Sequence, residues 1–376
     1  MFGDSLGGVI GNPLQLSVTY ASHGMEWRFL QLGFASVAAT IISGAIAGRS
    51  TLLSNALVAL AVGGFVYPVF GHWMWNEGGW LAGVFHVEDF AGSGVVHLIG
   101  GLAALICAHV LGARREARKE DGSLKPYLSP RSLPHVTTGV VFLWIGWIGF
   151  NGGSVAMLDF HTPVDGVPRG WLVVGEAIMA TCVAAGAGGL IALFAATFHR
   201  RFFGPGRGLR LSDFLVQNMG FDPYATLSGA MGGMVAITAN CRWVADDLGV
   251  AILIGMAGGL VSFLCSLWVK ARIDDPVDAV AVHAGAGALG LLLAARAQEA
   301  SFEGQLLALS AAVALTAVTV YPLARFLRWL DLFRVSAEDE EIGLSWEPPV
   351  KAIVSYSVGE TDRASSKPNR MPGAKS

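Results

Sequence analysis

Two histidines stand in stretches otherwise built from small and apolar residues. His97 closes DFAGSGVVH, eight positions after Asp89, and runs on into LIGGLAALICAHVLGA. His283 stands eight positions after Asp275 in DDPVDAVAVH and is followed by AGAGALGLLLAA. An imidazole gives or takes a proton near neutral pH. Inside an apolar segment it is expensive unless it is paired or lines a polar path. One Asp-to-His spacing used twice predicts that the two rings form a pair, share a proton-bearing contact and line one narrow pore. Two roles stay open for Asp89. It could cap its helix by accepting from free backbone N–H groups and complementing the dipole, or set a fixed negative charge beneath an outer vestibule, favouring a cation. Asp275 occupies the same place in the second copy.

A third stretch, LWIGWIGFNGGSV at 143–155, offers Phe150 and, four positions on, Ser154. Residues four apart share a helix face if the helix continues that far. Aromatic faces attract cations, Trp most strongly, and Trp75 lies in the loop expected just before the third span. Taken singly, each of these aromatics also reads as packing or interfacial anchoring. The cysteines, Cys107, Cys182, Cys241 and Cys265, are scattered without a CxxC spacing. They read as small core residues rather than ligands. No further His, Cys or Glu cluster joins Asp89, His97 and His283, so no metal, no cofactor and no enzymatic chemistry is expected.

These residues must be held by helices in lipid. The chain has 376 residues, 53% hydrophobic and 14% charged, against about 25% charged in a soluble domain. Its mean hydropathy is +0.55. Its 49 glycines suit membrane helices, whose backbones must approach closely because lipid supplies no hydrophobic drive. A span needs about 20 apolar residues, and nine stretches qualify: 27–47, 52–72, 91–112, 135–156, 171–198, 222–240, 248–269, 278–297 and 305–327. Basic residues cluster in alternate connections: GARREARKEDGSLKPYLSPRS, HRRFFGPGRGLRLSD, Lys270 with Arg272, and Arg325 with Arg328. The intervening loops, 73–90, 157–170, 241–247 and 298–304, are poor in them and hold Trp73, Trp75, Trp80 and Trp243. The positive-inside rule then puts the N-terminus outside and the C-terminus inside. The Asp-to-His helices enter from opposite sides, the pattern of an inverted repeat with its site near the midplane. Residues 1–330 are expected to form the membrane domain and 331–376 a cytoplasmic tail. MFGDSLGG at the start lacks the basic and apolar regions of a signal peptide. Glu176, inside the fifth span, is expected to face a vestibule or a partner helix.

Together these stretches resemble the ammonium transporter family (Amt/Mep/Rh). DFAGSGVVH is similar to its DFAGGTVVH, WIGWIGFNGGS to WFGWFGFNAGS, DDPVDAVAVH to DDPCDVFGVH, and LSGAMGGMVAIT to SGAIAGLVGVT. FLQLGFASVAATIISGAIAGR resembles its first phenylalanine-bearing pore helix, with Gln31 and Phe34 in place. The matches run in family order to about residue 330. The resemblance implies an all-α polytopic, inverted-repeat fold and a homotrimer with one pore per subunit. It implies that Trp75 and Ser154, beside Phe34 and Gln31, recruit ammonium, and that Phe34 and Phe150 form the gate. His97 and His283 become the twin histidines of the pore, Asp89 the buried acid beneath the recruitment site. Ammonium or methylammonium would lose a proton in the dry pore, and ammonia would pass, with or without that proton.

The departures carry expectations too. The family usually has eleven spans and this chain nine; the match begins just before the family's third, so the first two helices are absent from it. EEIGLSWEPPV stands where the family has a GLD…HGE pattern, which puts control by a PII-type regulator in doubt. Two alternatives follow: an ammonium sensor acting through a partner, and a shortened, non-transporting remnant. The tail is too short for a signalling domain of its own. The general character suits a cell membrane, a bacterial inner membrane above all, and nothing suggests nucleic acid.

Overall fold

The computed structural model describes residues 25–125, 132–158, 170–203, 222–296 and 300–342. It adds two pairs of two-residue antiparallel strands, Ser5–Leu6 with Ile10–Gly11 and Pro163–Val164 with Val167–Pro168. The expected lead-in before residue 25 otherwise lies outside this set, as do the second basic connection from 204 to 221 and the tail beyond 342. Each of the nine apolar stretches is helical. We name them α1 (Met25–Ile46), α2 (Leu52–Ala61, a π-helical turn Val62–Val66, then Tyr67–Trp75) and, after the short α3 (Trp80–Phe85), α4 (π turn Ser93–Leu98, then Ile99–Leu111). There follow α5 (Leu133–Trp147, π turn Ile148–Gly152, then Gly153–Leu158), α6 (Trp171–Phe203), α7 (Pro223–Thr238) and α8 (Leu248–Lys270). The last are α9 (π turn Val280–Gly285, then Ala286–Leu293), α10 (Phe302–Trp329) and the short α11 (Ala337–Ile342).

Among the described residues, seven of these helices are long and apolar enough to cross a membrane. α7 has 16 residues, about 24 Å at 1.5 Å per residue, short of the ~30 Å hydrocarbon core. α9 is shorter still, because the preceding segment is a loop pinned by Asp275 and Asp278. Trp73 and Trp75, expected in a loop, form the last turn of α2. The helix runs on to the Gly78–Gly79 turn, and both indoles pack inward rather than on a water-facing loop.

Backbone contact replaces side-chain interlocking where helices cross. In the α6–α7–α8 group a methyl on Gly259 would overlap the backbone of Gly188. α4 and α9 run in opposite directions past each other: Gly290 lies against Ser93, Gly287 against Leu98 and Gly101 against Ala284. Gly101 and Gly287 stand four residues after His97 and His283 respectively, one helical turn further along the chain from each ring. A methyl on Gly101 would overlap the Ala284 amide, and one on Gly287 would come within 2.7 Å of the Ser93 carbonyl. The small residues around the histidines are therefore what brings the two helices together.

The chain divides into two compact units, Met1–Val335 and Ser336–Ser376. Residues 331–335, which charge alone groups with the tail, pack in the first unit. Thr51 donates to the Leu332 carbonyl at 2.7 Å, and the Val335 amide donates to the Arg49 carbonyl at 3.1 Å. In the second unit, Ser336 begins α11 by accepting from the Asp339 amide at 3.0 Å.

Candidate functional site

The site is a column of rings drawn from five helices. Trp75, at the end of α2, lies 6.1 Å from Phe34 of α1, centroid to centroid. Phe34 stacks on Phe150 of α5 at 4.1 Å with 25° between planes. Phe150 in turn lies 5.3 Å from His97 of α4, and His97 is 5.2 Å from His283 of α9, tilted by only 19°. The two Nδ1 atoms approach to 3.2 Å, so one ring donates and the other accepts. His97 is fully buried, and its Nε2 has no hydrogen-bond partner. Both histidines and Phe150 sit on π turns, where one extra residue per turn turns a side chain out of the usual helical register.

Asp89 lies four residues before α4 and reaches forward into it. Gly92 donates to Oδ1 at 3.1 Å, and Gly94 and Val95 donate to Oδ2 at 2.8 Å each. It is 2% exposed. The capping role expected of it is thus built, from four residues before the helix. Asp275 repeats the device less completely: Val280 donates to its Oδ2 at 2.7 Å, and its Oδ1 has no partner.

The remaining expected residues divide. Trp75 donates its indole N–H to the backbone carbonyl of Asp89 at 2.6 Å, tying the outermost ring to the acid's turn. Ser154 is 1% exposed and gives its hydrogen to the Phe150 carbonyl at 2.8 Å. A hydroxyl has one hydrogen, so toward any other group Ser154 acts as an acceptor. Gln31 is already engaged: its Oε1 accepts from the Tyr67 hydroxyl at 2.5 Å, and the Tyr67 ring lies edge-on to Trp75. Glu176 is half-buried on α6, outside the ring column. The cysteines of the described residues are free thiols.

Three site neighbours escaped the sequence reading. Trp147 stacks on His97 at 4.9 Å and 15°. Thr238 accepts the Trp147 indole N–H at 3.0 Å. Tyr67 holds Gln31. Trp147 and Thr238 both lie inside stretches already singled out, WIGWIGFNGGS and LSGAMGGMVAIT; what was missing was any sign that they meet.

The model of the Ammonium Transporter Family matches residues 1–205 and 211–347. The chain is 31% identical to Ammonium transporter 1 member 2 of Oryza sativa subsp. japonica, over 99% of this chain and 77% of that protein. It is 34% identical to Ammonium transporter Amt2 of Archaeoglobus fulgidus, over 73% of this chain and 54% of that protein. Of solved structures, one titled Sensor Amt Protein superposes with a TM-score of 0.76 at 30% identity, covering 92% of this chain and 83% of that one. The crystal structure of Saccharomyces cerevisiae Mep2 does so with a TM-score of 0.62 at 25% identity, over 81% and 65% of the two chains.

Proposed function

We propose that this chain, which belongs to the ammonium transporter family, moves ammonium across a membrane by taking the ion at Trp75, removing its proton and passing ammonia between His97 and His283. The chain is a multi-pass membrane protein of all-α fold, and its family is one of transporters rather than enzymes. The observation that most supports this route is the 3.2 Å contact of the two imidazoles at the foot of the ring column.

The physics runs from outside inward. An ammonium ion gives up water on entering a dry path, at a cost of several kcal/mol. The faces of Trp75 and Phe34 return about 0.5–2 kcal/mol each as cation–π attraction, and the Ser154 oxygen supplies an acceptor. The stacked phenyl rings close the path at rest and part to admit a small molecule. Beyond them the surroundings are apolar, which favours neutral ammonia over the ion. The histidine pair takes or relays the proton, since one ring already donates to the other.

The wider assembly belongs to the same proposal. The N-terminus faces outward and the C-terminus inward, all nine helices line or support the pore, and three copies assemble. The exposed apolar faces of α5 and α6, with Phe142, Ile145, Phe194 and Phe198, suit lipid or a neighbouring subunit. A bacterial inner membrane is the proposed address.

Expressing the chain in cells stripped of their own ammonium transporters is expected to raise methylammonium uptake above the empty-vector level. No rise, with protein folded in the membrane, would move the reading to a sensor or a non-transporting form. Replacing His97 with Ala is expected to abolish flux or alter ion selectivity.

A further inference from the structure

Trp147 and Thr238 have no part in the route above, yet they fix the ring on which it turns. Thr238 is the last residue of α7 and is fully buried. It gives its only hydrogen to the Met234 carbonyl at 2.7 Å. Its oxygen is therefore a pure acceptor, and the Trp147 indole N–H fills it at 3.0 Å. Trp147 itself is 5% exposed. Pinned at its N–H, the indole lays its face on His97, 15° from parallel at 4.9 Å. His97 meanwhile spends Nδ1 on His283 and keeps Nε2 unpartnered. Without the Thr238 oxygen, the buried indole N–H would be orphaned, and such a group costs enough to drive a rearrangement. The unpartnered Nε2 lies on the adjoining ring, and in the tautomer in which Nδ1 donates to His283 it is an available acceptor.

We propose that Thr238 is a positioning residue: through Trp147 it fixes the plane of the His97 imidazole and keeps Nε2 clear for the transported molecule, and so sets both flux and selectivity. This rests on the transport reading of the same site. The test compares T238V, which keeps the shape and loses the hydroxyl, with T238S, which keeps the hydroxyl, and W147F, which keeps a ring and loses the N–H. Methylammonium uptake and the charge moved per substrate are measured in proteoliposomes. T238V is expected to lose about tenfold in uptake with a changed charge ratio, and T238S to stay within about twofold of the parent. W147F/T238V should match W147F alone, because no indole N–H is left to orphan, the mark of coupled rather than additive sites.

Additive losses in the double variant, equal losses in T238S and T238V, or a T238V protein with parental uptake and charge ratio would overturn the assignment. A crystal structure of T238V decides independently of transport. A turned indole or a lengthened His97–His283 contact supports the assignment; unchanged rings overturn it. If the parent chain carries no methylammonium, the transport reading fails, while that structure still judges the positioning role.

Discussion

Asp89 shows how one side chain serves two ends. Its carboxylate gathers three backbone N–H groups that would otherwise begin α4 unsatisfied, and its carbonyl receives the Trp75 indole. An amide cannot replace the carboxylate, because its NH2 would face at least one of those donors. Asp89→Asn is expected to cost about 2–3 kcal/mol, the worth of a hydrogen bond to a charged group plus an orphaned donor. Thermal unfolding of the solubilised protein measures this; a parental melting temperature would mean the carboxylate does not hold the turn. The acid was legible as a cap from its place before an apolar run. Its reach across a three-residue gap was not, because that depends on Gly92, whose φ of +104° bends the chain back toward the carboxylate.

At the scale of the helix, the histidines meet because α4 and α9 touch backbone to backbone. Gly101→Ala is expected to push α4 off Ala284 and break the 3.2 Å imidazole contact, with uptake falling more than tenfold. Gly287→Ala should do the same from the other side, by crowding Ser93 and Leu98. Uptake and melting temperature together check this, and a Gly101→Ala protein with parental uptake would show that the helices can part without harm. Much of this was readable: the repeated Asp-to-His spacing announced a pair, and the glycines announced close packing. The π turns that aim Phe150, His97 and His283 were not, because apolar periodicity over so short a run does not separate a π turn from an α turn. Nor was the contact of Trp147 with Thr238. The two residues are 91 positions apart, and a donor and acceptor so distant in sequence leave no local pattern.

Across the whole membrane unit, one end is locked by charge. Arg49 is fully buried and donates to the carbonyls of Gly112 and Asp274, each at 2.7 Å. Arg114 grips the Asp274 carboxylate through Nε and NH2 at 2.8 Å each. Arg328 and Arg334 both donate to the Leu111 carbonyl at 3.0 Å, so cations surround the negative end of α4, as the helix dipole favours. Burial pushes Arg49 down to about 10, against the pull of Asp274. Burial would raise Asp274, but the hydrogen bonds from Arg114 and the charge of Arg49 outweigh it and hold the carboxyl below its usual value. A carboxylate depressed in the folded state stabilises the protein above its unfolded value near 4 and loses that contribution as pH falls through the lower folded value. Removing Arg114 should therefore move acid unfolding to higher pH, read by tryptophan fluorescence. Asp274→Asn should cost about 3–5 kcal/mol, since it strands a buried guanidinium. None of these pairings was legible, because Arg49 and Asp274 lie 225 residues apart. The next residue along, Asp275, begins the approach to α9, so this lock and the glycine crossings act on the same two helices. Where two backbones already touch, the calibre between the imidazoles belongs to the helices and not to their side chains. On the proposed route a bulkier amine must shift an entire helix against an anchored end. Size discrimination on that route then works as a rigid gauge.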